Sequence, residues 1–204
     1  HEKKFYDRWV AVARQHDLPC HLETGGADGL TFPENLAAAD RIITTSVAEG
    51  FGMVYLEAWL ADRLLVGRNL PEITADFAAS GLELNRLYDR LMVPVDWVGR
   101  DDYAGSLTEA YAGLCTVYGR PAPSQEQLDA ALTAHLYGDA VDFGDLNERQ
   151  QEAVIARLAA DPSAGDELLE RNPGLAAMLD EPADVVAANH HVVEQEYALR
   201  PSGE

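Results

Sequence analysis

The stretch that most limits what this chain can fold into lies between Arg41 and Leu60. It opens with Arg41-Ile42-Ile43-Thr44-Thr45, a short apolar run rich in β-branched residues, which reads as a strand. It closes with Met53-Val54-Tyr55-Leu56-Glu57-Ala58-Trp59-Leu60, which holds no Gly or Pro and predicts a helix over about 52–61. Residues 46–51 are then the turn between strand and helix. Gly50 and Gly52 let that turn bend tightly and let a ligand approach the backbone closely. The N–H groups at a helix start, with the helix dipole behind them, favour an anion such as phosphate. Glu49 sits in the turn, whereas Glu57 follows Gly52 by about one and a half turns at 3.6 residues each and projects from the helix. Carboxylates repel phosphate but accept hydrogen bonds from hydroxyl groups. A phosphate site flanked by two carboxylates therefore suits a ligand that carries both phosphate and several hydroxyls, as a sugar nucleotide does.

The surrounding residues repeat the alternation of strand and helix. Residues 5–16 carry an apolar stripe of Phe5, Trp9, Val10, Val12 and Ala13 and predict a helix ended by Asp17 and Pro19. Leu18–Leu22 reads as a short strand and residues 23–29 as a loop. Thr31 with Glu34 forms a capping box, with Pro33 inside the first turn, for a helix to about Ala39. Leu64–Gly67 is the next strand. Strands of four or five residues between helices predict a parallel sheet covered by helices on both faces. Such sheets bind ligands at the carboxyl ends of their strands, so the loops at 23–29, 46–51 and 67–72 are expected to share one rim. Beyond that the pattern predicts helices over 73–80, 82–92 and 102–118, with an extended segment at 93–98.

These residues resemble a known family. Glu49-Gly50-Phe51-Gly52 followed by Glu57 is similar to the Glu-x7-Glu signature of retaining glycosyltransferases of the GT-B fold, the glycogen-synthase-like and family 4 enzymes. The resemblance runs from roughly residue 5 to residue 120 and implies the Rossmann-like, donor-binding C-terminal half of that fold. It implies that Glu49 acts at the catalytic centre, holding the donor sugar's hydroxyls near the departing phosphate. It also implies donor contacts from Gly50, Phe51, Gly52, Met53 and Val54, with Glu57 holding the ribose. Ser46 either adds a hydroxyl contact or satisfies the loop backbone. The chain departs from the family at Gly67-Arg68-Asn69-Leu70-Pro71-Glu72, where members usually carry small residues or a Gly pair before a glutamate. Arg68 there meets a phosphate or pairs with a nearby carboxylate, and Glu72 is a further candidate. The resemblance implies a nucleoside-diphosphate sugar donor, an acceptor that it does not name, no metal ion and no cofactor. The upstream Arg and Lys that hold the diphosphate in the family have no counterpart here, and neither does the N-terminal acceptor domain. The sequence does not begin with Met, and a fragment with little or no transferase activity is expected.

Composition narrows the class further. With 35 acidic and 15 basic residues the net charge is −20, which repels nucleic acid and anionic lipid. The charge divides unevenly, net −7 over 1–120 and net −13 over 121–204. The Gly119-Arg120-Pro121-Ala122-Pro123-Ser124 segment breaks helix where the charge changes, so two parts are expected: a nucleotide-sugar-binding domain at 1–120 and an acidic helical extension at 121–204. Helices are expected over 125–136, with a Ser124–Gln127 capping box, and over 145–160, 163–171, 173–179 and 182–197, with fraying at 200–204. No apolar run approaches the roughly 20 residues a membrane span requires, and no secretory leader is seen. Cys20 and Cys115 are expected as reduced core cysteines of a cytoplasmic protein. His190 and His191 are adjacent, point about 100° apart on a helix, and are expected at the surface rather than on a metal. The alternatives carry different functions: a non-catalytic binding or docking module, a sugar-nucleotide epimerase of the same fold, a phosphorylase, whose cofactor lysine has no candidate beyond residue 4, and an oxidoreductase, whose Gly-x-Gly-x-x-Gly is not found.

Overall fold

A computed structural model describes residues 2–22, 24, 25, 29–178 and 183–197. In chain order the helices are α1 (Glu2–Gln15), α2 (Phe32–Ala38), α3 (Val54–Leu60), α4 (Pro71–Ala79), α5 (Arg100–Val117), α6 (Gln125–His135), α7 (Glu148–Ala160), α8 (Pro162–Arg171), α9 (Gly174–Ala177) and α10 (Ala183–Glu196). The strands are β1 (Arg41–Thr44), β2 (Leu64–Arg68), β3 (Leu87–Tyr88), β4 (Met92–Pro94) and β5 (Ala140–Asp142). These elements form two compact units, each built from two separated stretches: residues 1–20 with 91–172, and 21–90 with 173–204. The expected boundary at 120/121 is not where the chain divides. The Gly119–Ser124 segment lies inside the first unit, because β5 pairs with β4 across it.

The unit of residues 21–90 and 173–204 is α/β, a parallel sheet in the order β1-β2-β3 flanked by helices. Register runs from Arg41 opposite Leu64 to Thr44 opposite Gly67, and then Gly67 opposite Leu87. Leu64, Leu65 and Val66 are consecutive and all buried, so the central strand β2 is covered on both faces. Gly67 is needed where β1 comes close: its φ is +121° and a Cβ there would fall 2.0 Å from the Thr44 carbonyl oxygen. Tyr55, Leu56, Ala58 and Trp59 of α3 pack on Leu65, Phe77 of α4, Leu82, and Val185 and Val193 of α10. The Phe77 ring lies between Tyr55 and Tyr197, edge-on to the latter at 5.5 Å between centroids. The Thr31–Glu34 capping box forms as expected.

Three expectations about local structure fail. Leu18–Leu22 is not a strand: Asp17 turns left-handed (φ 48°) and the Leu18 amide bonds back to Ala13, so the residues close α1 instead. Residues 82–92 are not a helix. Gly81 at φ +102° ends α4, the Leu82 amide returns to Phe77, and the chain extends into β3. The helix after the turn begins at Val54, not 52, because Gly52 is left-handed (φ 65°). Cys20 is exposed rather than in the core, and Cys115 is half-buried.

The unit of residues 1–20 and 91–172 is mainly helical around the antiparallel β4–β5 pair. Val93, Val95, Tyr103, Val141, Leu146 and Val154 form its core. The region after 125 is therefore not wholly helical; β5 and a 3-10 turn at Phe143–Asp145 precede α7. Arg8 of α1 pairs with Glu152 of α7 at 2.9 Å, and the Arg157 guanidinium lies over the Trp97 ring at 5.0 Å.

A buried asparagine closes each unit. Asn172 accepts from the Met92 amide (2.7 Å) and donates to the Met92 carbonyl (2.8 Å). Asn189, fully buried in α10, accepts from the Glu83 amide and donates to the Glu83 carbonyl, both at 2.8 Å. In both cases a side-chain amide takes the place of a neighbouring strand and satisfies a backbone pair that would otherwise be buried unpaired.

Candidate functional site

Because β1, β2 and β3 are parallel, their carboxyl ends at Thr44, Arg68 and Tyr88 face one rim. A polar cavity of about 350 Å³ opens there, lined among others by Val47, Arg68, Asn69, Glu72, Asp89 and Arg90. Each strand supplies part of it: the turn after β1, the end of β2 with the start of α4, and the residues after β3.

The turn between β1 and α3 is held by Gly52. Its φ of 65° suits glycine, and a Cβ would sit 2.3 Å from Ile73 Cγ2. The amides of Tyr55, Leu56 and Glu57 bond to the carbonyls of Gly52 and Met53 at 2.8–3.0 Å. They are engaged within the first turn, so an anion at this helix start has to be met by amides before Tyr55. Gly50 differs from Gly52: nothing lies within 4 Å of where its Cβ would be, and its φ is not left-handed. The chain's own packing does not ask for glycine at 50. Phe51 is 88% exposed. Glu49 and Met53 are exposed, whereas Ser46, Val54 and Glu57 are half-buried.

Tyr55 links the turn to β2. Its ring is fully buried and its hydroxyl donates to the Arg68 carbonyl at 2.8 Å. Burial pushes its phenol above the ordinary tyrosine range, the Thr44 hydroxyl acts against that rise, and the negative charge of Glu49 adds to it. The structure brings Arg68 and Glu72 into the cavity with Val47 of the turn, while Ser46, Glu49, Gly50, Phe51, Gly52, Met53, Val54 and Glu57 do not line it.

Asn69, Asp89 and Arg90 are cavity residues that the sequence reading passed over. Asn69 is locked by a chain of bonds. The Thr74 hydroxyl donates to Asn69 Oδ1 at 2.5 Å, the Asn69 side-chain amide donates to Asp89 Oδ1 at 2.7 Å, and the Asn69 backbone amide donates to Tyr88 at 2.8 Å. The signal that could have found Asp89 and Arg90 is β3 itself: reading 82–92 as helix hid the third carboxyl end. The loop expected at 23–29 falls mostly outside the described residues, as do the expected helix ends at 179 and 182 and the fraying at 200–204.

Elsewhere, His190 is not a free surface group. Its Nδ1 lies 2.8 Å from Asp62 and 3.0 Å from the Trp59 carbonyl, which ties α10 to the end of α3. His191 is exposed. Among the described residues no group of three or more His, Cys, Asp or Glu side chains is placed to hold a metal ion. No described helix is long and apolar enough to cross a membrane. The chain matches no protein-family model, no curated protein and no solved structure.

Proposed function

We propose that the unit carrying the parallel sheet is the donor-binding half of a retaining GT-B glycosyltransferase, which moves a sugar from a nucleoside diphosphate to an acceptor in the cytoplasm. The observation that carries this reading is the turn itself. Glu49-Gly50-Phe51-Gly52 stands at the carboxyl end of a parallel strand, where such sheets bind ligands, and Gly50 has no packing reason to be glycine. A ligand that lies against the backbone supplies that reason. Glu49 accepts hydrogen bonds from the donor sugar's hydroxyls, and Glu57 from the ribose. The leaving diphosphate assists attack on the same face, while the site stabilises the charge that develops. Two free cysteines, one of them exposed, fit a reducing compartment.

The test is calorimetry of the chain with UDP-, GDP- and ADP-sugars, repeated on Glu57→Ala and Glu49→Ala. Each carboxylate holds hydroxyls through charge-assisted bonds of about 1.5–3 kcal/mol, so each variant should weaken binding roughly 10- to 100-fold. Binding that is equal in wild type and both variants would remove the basis of the reading. So would the absence of binding to any sugar nucleotide when an upstream donor-binding and acceptor region is joined to the chain.

A further inference from the structure

Helix α5 carries an apolar stripe that its own unit covers only in part. Tyr103, Leu107, Tyr111, Leu114 and Tyr118 recur at intervals of four, four, three and four residues, so they follow one face of the helix to its C-cap. Tyr103 is buried in the core, and Leu107 and Tyr111 are half-buried, but Leu114 is 55% exposed and Tyr118 73%. Val117, on the last turn beside them, is 78% exposed. An apolar cavity of about 360 Å³ opens at the same end, lined by Tyr111, Leu114, Cys115, Tyr118 and Arg120. The stripe that anchors α5 at Tyr103 thus runs on past the part of the unit that covers it.

Charge singles out the same stretch. Residues 110–125 hold no Asp or Glu, while no other acid-free run in the chain exceeds nine residues. The run's one charged residue, Arg120, follows the end of the helix. In a chain of net charge −20, two copies repel one another over most of their surface. At a two-fold contact each side chain meets its own counterpart or a near neighbour of it, so one carboxylate there would bring two together. Contact between copies therefore requires a surface without carboxylates. A basic partner has the opposite requirement, since carboxylates are what attract it. Three large apolar side chains at these exposures present on the order of a few hundred Å², the size at which an apolar patch on a monomer is often functional. That is less than the roughly 800 Å² per partner of a standard interface, so the contact is one that forms and dissociates.

We propose that the C-terminal half of α5 is a self-association surface, on which a second copy of this chain packs its own α5 about a two-fold axis and covers Leu114, Val117 and Tyr118. The inference is independent of the donor reading and stands or falls without it.

The experiment is sedimentation equilibrium of the full chain from about 1 μM to about 1 mM, a range that spans weak dimers. The wild type should pass from monomer to dimer and no further. Raising salt to about 1 M, which screens charges beyond about 3 Å, should shift the equilibrium toward dimer. Leu114→Glu and Val117→Glu, both at exposed positions, should each weaken the dimer about tenfold or more, because the two-fold axis places two new carboxylates in it. Phe32→Glu, at an exposed apolar position of the other unit, should leave it unchanged. Circular dichroism confirms that the variants fold. On the wild type itself, maleimide labelling of the half-buried Cys115 should slow at concentrations where the dimer forms, while the exposed Cys20 keeps its rate. Any of five results would overturn the proposal. The chain stays monomeric across the range at both salt concentrations, or it grows beyond a dimer. Both α5 variants associate like wild type, or Phe32→Glu weakens the dimer as much as they do. Cys115 labelling does not change on association.

Discussion

Gly50 and Gly52 stand two residues apart and answer to different forces. Gly52 is held by the fold: its left-handed backbone and its contact with Ile73 both exclude a side chain. Gly52→Ala adds left-handed strain of about 1–2 kcal/mol and overpacking of about 1–3 kcal/mol, so chemical denaturation should show a loss of roughly 2–5 kcal/mol. Gly50→Ala, in open space, should leave stability nearly unchanged in the same experiment. Tyr103 shows a different kind of constraint. Its side chain is buried, its hydroxyl is without a hydrogen-bond partner among the described residues, and burial pushes its phenol up to about 12. A raised acid favours the neutral form in the folded state. Its contribution is therefore complete below the unfolded value of about 10 and lost as pH rises toward 12. Tyr103→Phe removes a hydroxyl that bonds to nothing. It should leave stability at pH 7 within about 1 kcal/mol of wild type or raise it, and should flatten the loss of stability above pH 10 in denaturation curves. Glu49, Glu57 and Arg68 were legible as candidates because their residue types and spacing carry chemistry by themselves. Asp89 was not, since a carboxylate has meaning only once its neighbours are known.

At the scale of elements, local signals were dependable where the interaction is local. The Thr31–Glu34 and Ser124–Gln127 capping boxes form, and the helices they start lie close to where they were expected. Strands failed more often. β3 has two residues and β5 three, and each exists because a partner strand lies beside it. No period can be read from so few residues. Helix α10 is the opposite case, legible as a helix but not as part of the sheet unit. Val185 and Val193 bury their side chains in that unit's core, and Asn189 satisfies both backbone groups of Glu83. Removing residues 173–204 exposes apolar surface worth roughly 3–6 kcal/mol from the two valines alone and leaves the Glu83 pair without Asn189. Against a usual total of about 5–15 kcal/mol, such a truncation should abolish cooperative unfolding of residues 21–90 in calorimetry and increase dye binding to exposed apolar surface. It would not cleanly separate a binding domain from a docking extension, because residues 173–204 of the expected extension belong to the sheet unit.

For the molecule as a whole, the charge change at Gly119–Ser124 suggested a boundary that the fold does not use. Surface charge follows what each face meets in solvent, whereas a domain boundary follows which residues share a core, and Val93 shares its core with Val141 and Val154 across that segment. The chain enters the sheet unit, leaves it at Arg90, builds the helical unit, and returns after Asn172. Linear composition carries no mark of such a return. By itself the sequence determined the strand–turn–helix at Arg41–Leu60, the helix starts with their caps and the acidic surface. Each of these follows from backbone preference, hydrogen bonding or charge among residues near one another in the chain. Only the tertiary structure decided that Val185, Asn189 and Val193 of α10 are buried in the sheet unit, that Gly67 must admit the Thr44 carbonyl, and that Arg68, Asp89 and Arg90 share one cavity. Those facts depend on residues separated by 20 to more than 100 positions, whose meeting is set by the burial of apolar surface and not by any local pattern.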